Sequence, residues 1–195
     1  MNITLDNIAD ITTGYPFRGK IKSNERGFPV IQMKDVKDGK ILWKTIIRAD
    51  VGGSSSHTLS DNDLLCAGKA RNNYFILLDD LTEQTVCSPH FFRLRVKDKQ
   101  RTLPEYLYWV LNSDKVQHFL QSKQVGTTTF SIRKETLQKL VIPIPPIREQ
   151  DKLVKLAQAV EAHTLQHKKI ITNNRQLMNG ITQKLFNTYG SNTDG

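Results

Sequence analysis

Cysteine is scarce in this chain, and acid is outnumbered. Cys66 and Cys87 are its two thiols, and they stand too far apart to form a CxxC pair. Such a pair supplies neither a zinc-ligand set nor the framework of a disulfide-rich fold, so both read as reduced thiols. A signal peptide is not visible, because "MNITLDNIADITTG" has no basic start followed by an apolar run. No apolar stretch approaches the roughly 18 residues of a membrane span. These absences predict a cytoplasmic chain that does not enter a membrane. Asp and Glu number 19 against 28 Lys and Arg, a formal charge of +9. That balance favours a polyanionic partner, nucleic acid foremost, with ordinary solubility charge as the plain alternative. Hydrophobic residues make up 38%, enough for a packed core. The length of 195 residues suits one ordinary domain with an appendage.

Several catalytic signatures are missing too. There is no Walker-type phosphate loop, no Gly-x-Gly-x-x-Gly after a strand and no Gly-x-Ser-x-Gly elbow. The "PIPP" stretch lacks the Asn or Asp that an amino-methyltransferase uses to hold its target amine. "HTLQH" sets His163 and His167 one helical turn apart, but no Glu follows the first His. Polar contacts between helices suit them better than a metal. "DDLTE" gathers Asp79, Asp80 and Glu83. A nuclease uses such carboxylates, yet the spacing fits a solvated turn at least as well. No cofactor is expected from these residues.

What is present reads as α+β. "PVIQMKDV" (29–36) and "KILWKTII" (40–47) have strand composition, with "KDG" as the turn between them. "DLLCAG" and "NYFILLDD" bracket another turn, "GKARNN". "SPHFFRLRV" alternates from Phe92, which predicts a strand with Arg93 and Arg95 on one basic face. Residues 103–123 predict one helix opened by Pro104. Ser131 is placed to cap a short helix running to Leu140. Then "LVIPIPPIREQ" brings Pro143, Pro145 and Pro146, which stop strand and helix alike.

From Glu149 to about Phe186 the period turns helical. With Leu153 at heptad position a, the a and d sites fall on Leu153, Leu156, Val160, His163, His167, Ile170, Asn174, Leu177 and Ile181. Position e is mostly apolar as well. A stripe of this kind wants a helical partner. At about 1.5 Å per residue the span is roughly 57 Å, longer than a small domain is wide. The reading is therefore a globular domain over 1–146, a long spacer and dimerisation helix over 147–187, and a tail over 188–195.

Three polar clusters fall on expected loops. "GYPFRGK" holds Arg18 and Lys20. "GKARNNY" holds Lys69, Arg71, Asn72 and Asn73. "SKQVGTTTFSIRK" holds Lys123, Thr127, Thr128 and Arg133. Arg and Lys neutralise phosphates, Arg also forks onto guanine, and Asn pairs with adenine edges. Each cluster alone suits a surface turn equally well. Together with the net charge they predict binding of double-stranded DNA.

The order of several segments is then familiar: "LDNIADITTGYPFRG", "PVIQMKDVKDGKI", "LPEYLYWVLNS" and "GTTTFSIRKETLQKLVIPIPPIREQDKLV", ahead of the long helix. The chain resembles a type I restriction–modification DNA specificity subunit over nearly its whole length. The resemblance implies a target recognition domain that does no chemistry and reads one half of a split DNA site. It also implies a helix that spaces two such domains and docks methyltransferase and restriction subunits, which bring S-adenosylmethionine, ATP and Mg. The familiar subunit carries two domains and two helices, and this sequence has one of each, so it looks like a half-length form. A twofold homodimer with antiparallel helices would cover the exposed stripe, with His163, His167 and Asn174 helping to set register. Such a dimer should read an interrupted palindrome. Two readings of other classes stand beside this one: a small metal-dependent nuclease using Asp79, Asp80 or Glu83, and an adaptor that binds no DNA and docks a larger enzyme through its helix.

Overall fold

The computed structural model describes residues 2–52, 55–70, 73–125 and 131–189. The chain is mixed α and β and divides into two compact units, Met1–Lys152 and Leu153–Gly195.

In the first unit, β1 (Asn2–Thr4), a one-turn helix α1 (Leu5–Ile8) and β2 (Ala9–Thr13) open the chain. β3 (Phe28–Ile31) follows, then a tight hairpin of β4 (Val36–Lys37) and β5 (Lys40–Ile41), then β6 (Ile47–Ala49). The next strands are β7 (Leu64–Ala67), β8 (Phe75–Leu77), β9 (Val86–Cys87) and β10 (Phe91–Val96). Helices α2 (Pro104–Leu111), α3 (Asp114–Ser122) and α4 (Lys134–Gln138) precede β11 (Val141–Pro143). Helix α5 (Ile147–Tyr189) closes the described chain.

The main sheet has the order β2-β10-β7-β8, antiparallel throughout. β7 is buried on both faces, which is why "LLCA" runs apolar without alternation. Phe75, Phe91, Leu64, Leu94, Leu107 and Leu111 are among the large side chains fully buried here. A second sheet, β6-β3-β9, pairs β3 antiparallel with β6 and parallel with β9. Its small core of Val30, Ala49 and Val86 is covered by Tyr15, Phe17, Ile21 and Val51.

Side chains that bind backbone explain where the elements differ from their expected spans. The strands expected over 29–36 and 40–47 are each interrupted by a short 3-10 turn, Met33–Asp35 and Trp43–Thr45. The buried Asp35 carboxylate accepts from the Gln32 N–H (3.0 Å) and the Thr45 hydroxyl (2.9 Å), and both turns close around it. The single helix expected over 103–123 is two helices. The Asn112 side-chain amide imitates a strand neighbour: its Oδ1 accepts from the Phe75 N–H (3.0 Å) and its Nδ2 donates to the Phe75 carbonyl (3.1 Å). That pairing ends α2 and pins it to β8. Ser131 does not cap α4. It forms an isolated bridge with Val125, and Arg133 stands at the cap position. Arg93 and Arg95 do not present a free basic face. Arg93 is buried and donates to the Ser56 and Thr58 carbonyls (both 3.0 Å), and Arg95 forks onto the buried Asp63 carboxylate (2.7 Å). They hold the 56–63 segment on the sheet.

The stretch around the three prolines is a mount. β11 pairs with β1, Ile142 opposite Ile3 and Pro143 opposite Asn2. Pro143 is tolerated because this two-stranded sheet is all edge. The Pro146 carbonyl accepts the Glu149 and Gln150 N–H groups, so α5 starts at Ile147. Gln150 is fully buried. Its Oε1 accepts from the Leu103 N–H (2.9 Å), and its Nε2 donates to the Arg101 and Pro145 carbonyls (2.9 and 2.8 Å). Tyr106 adds a hydroxyl bond to the Pro143 carbonyl (2.8 Å). The first compact unit runs to Lys152 and so includes this root of α5.

The second unit is the rest of α5. The whole helix has 43 residues, about 65 Å at 1.5 Å each. Leu156, Val160, Ile170, Leu177 and Ile181 are exposed, and so are His163, His167 and Asn174. Leu153 is half-buried. No described helix is long and apolar enough to cross a membrane.

Candidate nucleic-acid interface

Register in the main sheet decides where the loops go. Phe92 at the start of β10 lies opposite Thr13 at the end of β2, and Phe91 lies opposite Ala67 at the end of β7. Cys66 lies opposite Phe75, the first residue of β8. The connections that begin at Gly14 and at Gly68 and the turn 88–90 therefore leave one and the same end of the sheet. Backbone bonds close them together: Gly14 N–H to the Phe91 carbonyl (3.0 Å) and Gly68 N–H to the His90 carbonyl (2.9 Å). Gly14 has no alternative there, since a Cβ would lie 2.1 Å from the Ser88 carbonyl oxygen.

The third cluster is drawn to the same place. Ile132 N–H donates to the Gly68 carbonyl (3.0 Å). Gln124, just after α3, donates to the Ala70 carbonyl (3.1 Å) and to Asn73 Oδ1 (2.6 Å). Segments far apart in sequence thus meet at one sheet end. Arg18, Lys20, Lys69, Lys123 and Arg133 are exposed there or on the segments that lead from it. Lys123 also sits over the Phe119 ring, 5.8 Å from its centroid. Arg71, Asn72, Thr127 and Thr128 lie outside the described residues.

Asn73 is placed differently from the expectation. It is fully buried; its Nδ2 donates to the Ala67 carbonyl (2.8 Å) and its Oδ1 accepts from Gln124. Its amide is engaged inside the loop, where it shapes the turn and presents nothing to a ligand. His90 was missed by sequence reading and stands in the middle of this end. It is exposed, on the two-sided turn between β9 and β10. Partial burial and then the Lys69 charge hold its imidazole below the ordinary range, so it is neutral at neutral pH. A lone histidine in "SPHFF" carries no charge signal; only the strand register brings it between two basic loops.

Of the acids of "DDLTE", Asp80 and Glu83 line a different place, a cleft of about 460 Å³ bounded also by Pro29, Trp43, Ile46 and Arg48. Glu83 is clasped by Arg48 through two bonds (2.8 and 2.7 Å), which holds its carboxyl below the usual range. Among the described residues no three His, Cys, Asp or Glu side chains gather as a metal site. The two thiols are buried, and burial pushes both upward, Cys87 to about 12. They are core residues with no thiolate to offer.

Comparison with solved structures finds the same fold in a set of chains that includes these three. The type I restriction-modification system S subunit from M. genitalium matches with a TM-score of 0.61 at 18% identity, over 98% of this chain and 46% of that one. A chain from a study of complex assembly and conformational transition of the type I R-M system gives 0.72 at 16%, over 96% and 44%. The HsdS subunit from Thermoanaerobacter tengcongensis gives 0.69 at 16%, over 95% and 48%. This chain spans a little under half the length of each. No curated protein matches. Residues 1–175 match the type I restriction modification DNA specificity domain, and the chain belongs to that family.

Proposed function

We propose that the first unit reads double-stranded DNA through the sheet end to which residues 14–20, 68–70, 73–74, 88–90, 123–125 and 131–133 contribute. The observation that carries this is convergence: segments far apart in sequence are tied together there by backbone bonds, and three of them bring exposed cations, Arg18 and Lys20, Lys69, and Lys123 and Arg133. Arg18, Lys20, Lys69, Lys123 and Arg133 contact phosphates or base edges, with His90 between them. Arg71, Asn72, Thr127 and Thr128 stay in the set by their place in the sequence. The chain itself is non-catalytic. It reads one half-site and presents its helix to methyltransferase and restriction subunits, which carry S-adenosylmethionine, ATP and Mg.

The apolar stripe of α5, exposed in the single chain, supports a homodimer whose helices pair antiparallel. Two identical readers then face an interrupted palindrome. Selection of bound duplexes from a random pool with purified chain tests the proposal. The expected product is a pair of inverted half-sites at fixed spacing, bound with steep salt dependence. Recovery of no sequence preference would sink it.

A further inference from the structure

We propose that the hairpin β4–β5 is a two-stranded ribbon that enters a DNA groove beside the loops already described. This rests on the DNA-reading function proposed above. Four observations carry it.

The first is place. β3 and β9 run parallel with Ile31 opposite Cys87, and Ser88 N–H donates to the Ile31 carbonyl (2.9 Å). The chain leaves β3 at that point and reaches the hairpin through the Met33–Asp35 turn, so the hairpin follows from the same sheet end as the 88–90 turn.

The second is shape. Asp38 and Gly39 both have positive φ, 51° and 72°. That is the tight two-residue turn that keeps a hairpin narrow and twisted. A ribbon of this width is what the major groove admits.

The third is facing. Val36 and Ile41 are directly paired and pack on the core cluster that includes Ile31, Ala67 and Phe91. Lys37 and Lys40 are the next pair, so the pleat turns both outward.

The fourth is charge. Lys34, Lys37, Lys40 and Lys44 are all exposed, and among the described residues none is bridged to an acid. The exposed acid on the hairpin is Asp38 at its tip. Two lysines directly opposite one another repel. The backbone register of the hairpin nevertheless sets Lys37 against Lys40. An anion between Lys37 and Lys40 turns the repulsion into a two-point grip, and a duplex read by the adjoining loops would bring phosphates to this edge.

The test is a salt series on duplex DNA recovered by selection, with the full chain and the double variant Lys37→Gln/Lys40→Gln. Each neutralised phosphate contributes about 0.9 to the slope of log K against log salt. The variant should therefore be shallower by nearly two, with the melting temperature unchanged or raised. Lys37→Arg/Lys40→Arg should keep the wild-type slope. An unchanged slope in the Gln variant overturns the proposal while leaving DNA reading intact. So does equal loss in the Gln and Arg variants, which would mark a conformational effect. Wild-type DNA binding with loss of a purified methyltransferase subunit would assign the lysines to a protein partner, again overturning it. Failure of the wild-type chain to bind any duplex would sink the broader reading.

Discussion

Asn73 and His90 exchange the roles that their chemistry suggests. The amide, a good base reader in principle, is spent on Ala67 and Gln124, while the imidazole stands exposed beside Lys69. Removing the amide leaves a buried carbonyl without its donor, which costs about 1–3 kcal/mol. Asn73→Ala should lower stability by that order in urea unfolding, and weaken DNA binding only through the loosened loop. His90 gives a pH signature. Its imidazole is held below the usual range in the free folded chain, so as pH falls through about 6.5 the unfolded state takes up a proton first and stability drops. A phosphate nearby works the other way and favours the charged ring. DNA binding should therefore tighten as pH falls below about 6.5, and His90→Gln should flatten that dependence. Equal pH profiles for the two proteins would remove His90 from the interface. Neither role is legible in sequence, because both depend on which strand ends meet.

At the scale of elements, legibility followed the source of the structural instruction. The "KDG" turn lies where its residues demand positive φ, and α5 follows its heptads. Both are local instructions. The broken helix at Asn112 and the interrupted strands around Asp35 are different, since each is made by a side chain that finds a backbone partner. Phe75 is 37 residues from Asn112, and no periodicity encodes that pairing. The basic pattern of β10 misled for the same reason: Arg93 and Arg95 alternate like a solvent face, but the 56–63 segment folds over them. Gln150 is the most consequential of these long-range bonds. It joins the root of α5 to the start of α2 and to the proline exit. Gln150→Ala takes away the acceptor of the Leu103 N–H and the donor to the Arg101 and Pro145 carbonyls at a buried site, and a buried group left without its partner costs about 1–3 kcal/mol. Urea unfolding should read that loss. On DNA, the variant should accept a wider range of half-site spacings while each half-site alone binds as before; unchanged spacing selectivity would show that the mount does not set the ruler.

For the molecule as a whole, the exposed stripe on α5 is the largest unmet demand. Leu156 and Leu177 are each 62% exposed, far from the fate of core leucines. Leu156→Asp with Ile170→Asp and Leu177→Asp should yield monomers in sedimentation, with the first unit still folded and the affinity for a two-half-site duplex reduced to that for one half-site. Dimers persisting in that variant would mean that another surface holds the copies together. The pairing of β1 with β11 has a further consequence for such a dimer. It sets the chain's first strand at the root of its own helix. In an antiparallel pair, the far end of each helix arrives near its partner's root, and so near its partner's first strand. In the antiparallel pair proposed above, a linker from the end of one helix to the partner's first strand would join two copies head to tail. A chain of doubled length made in that way would carry two identical readers and both helices, and one in-frame duplication of a gene that encodes this chain would produce it.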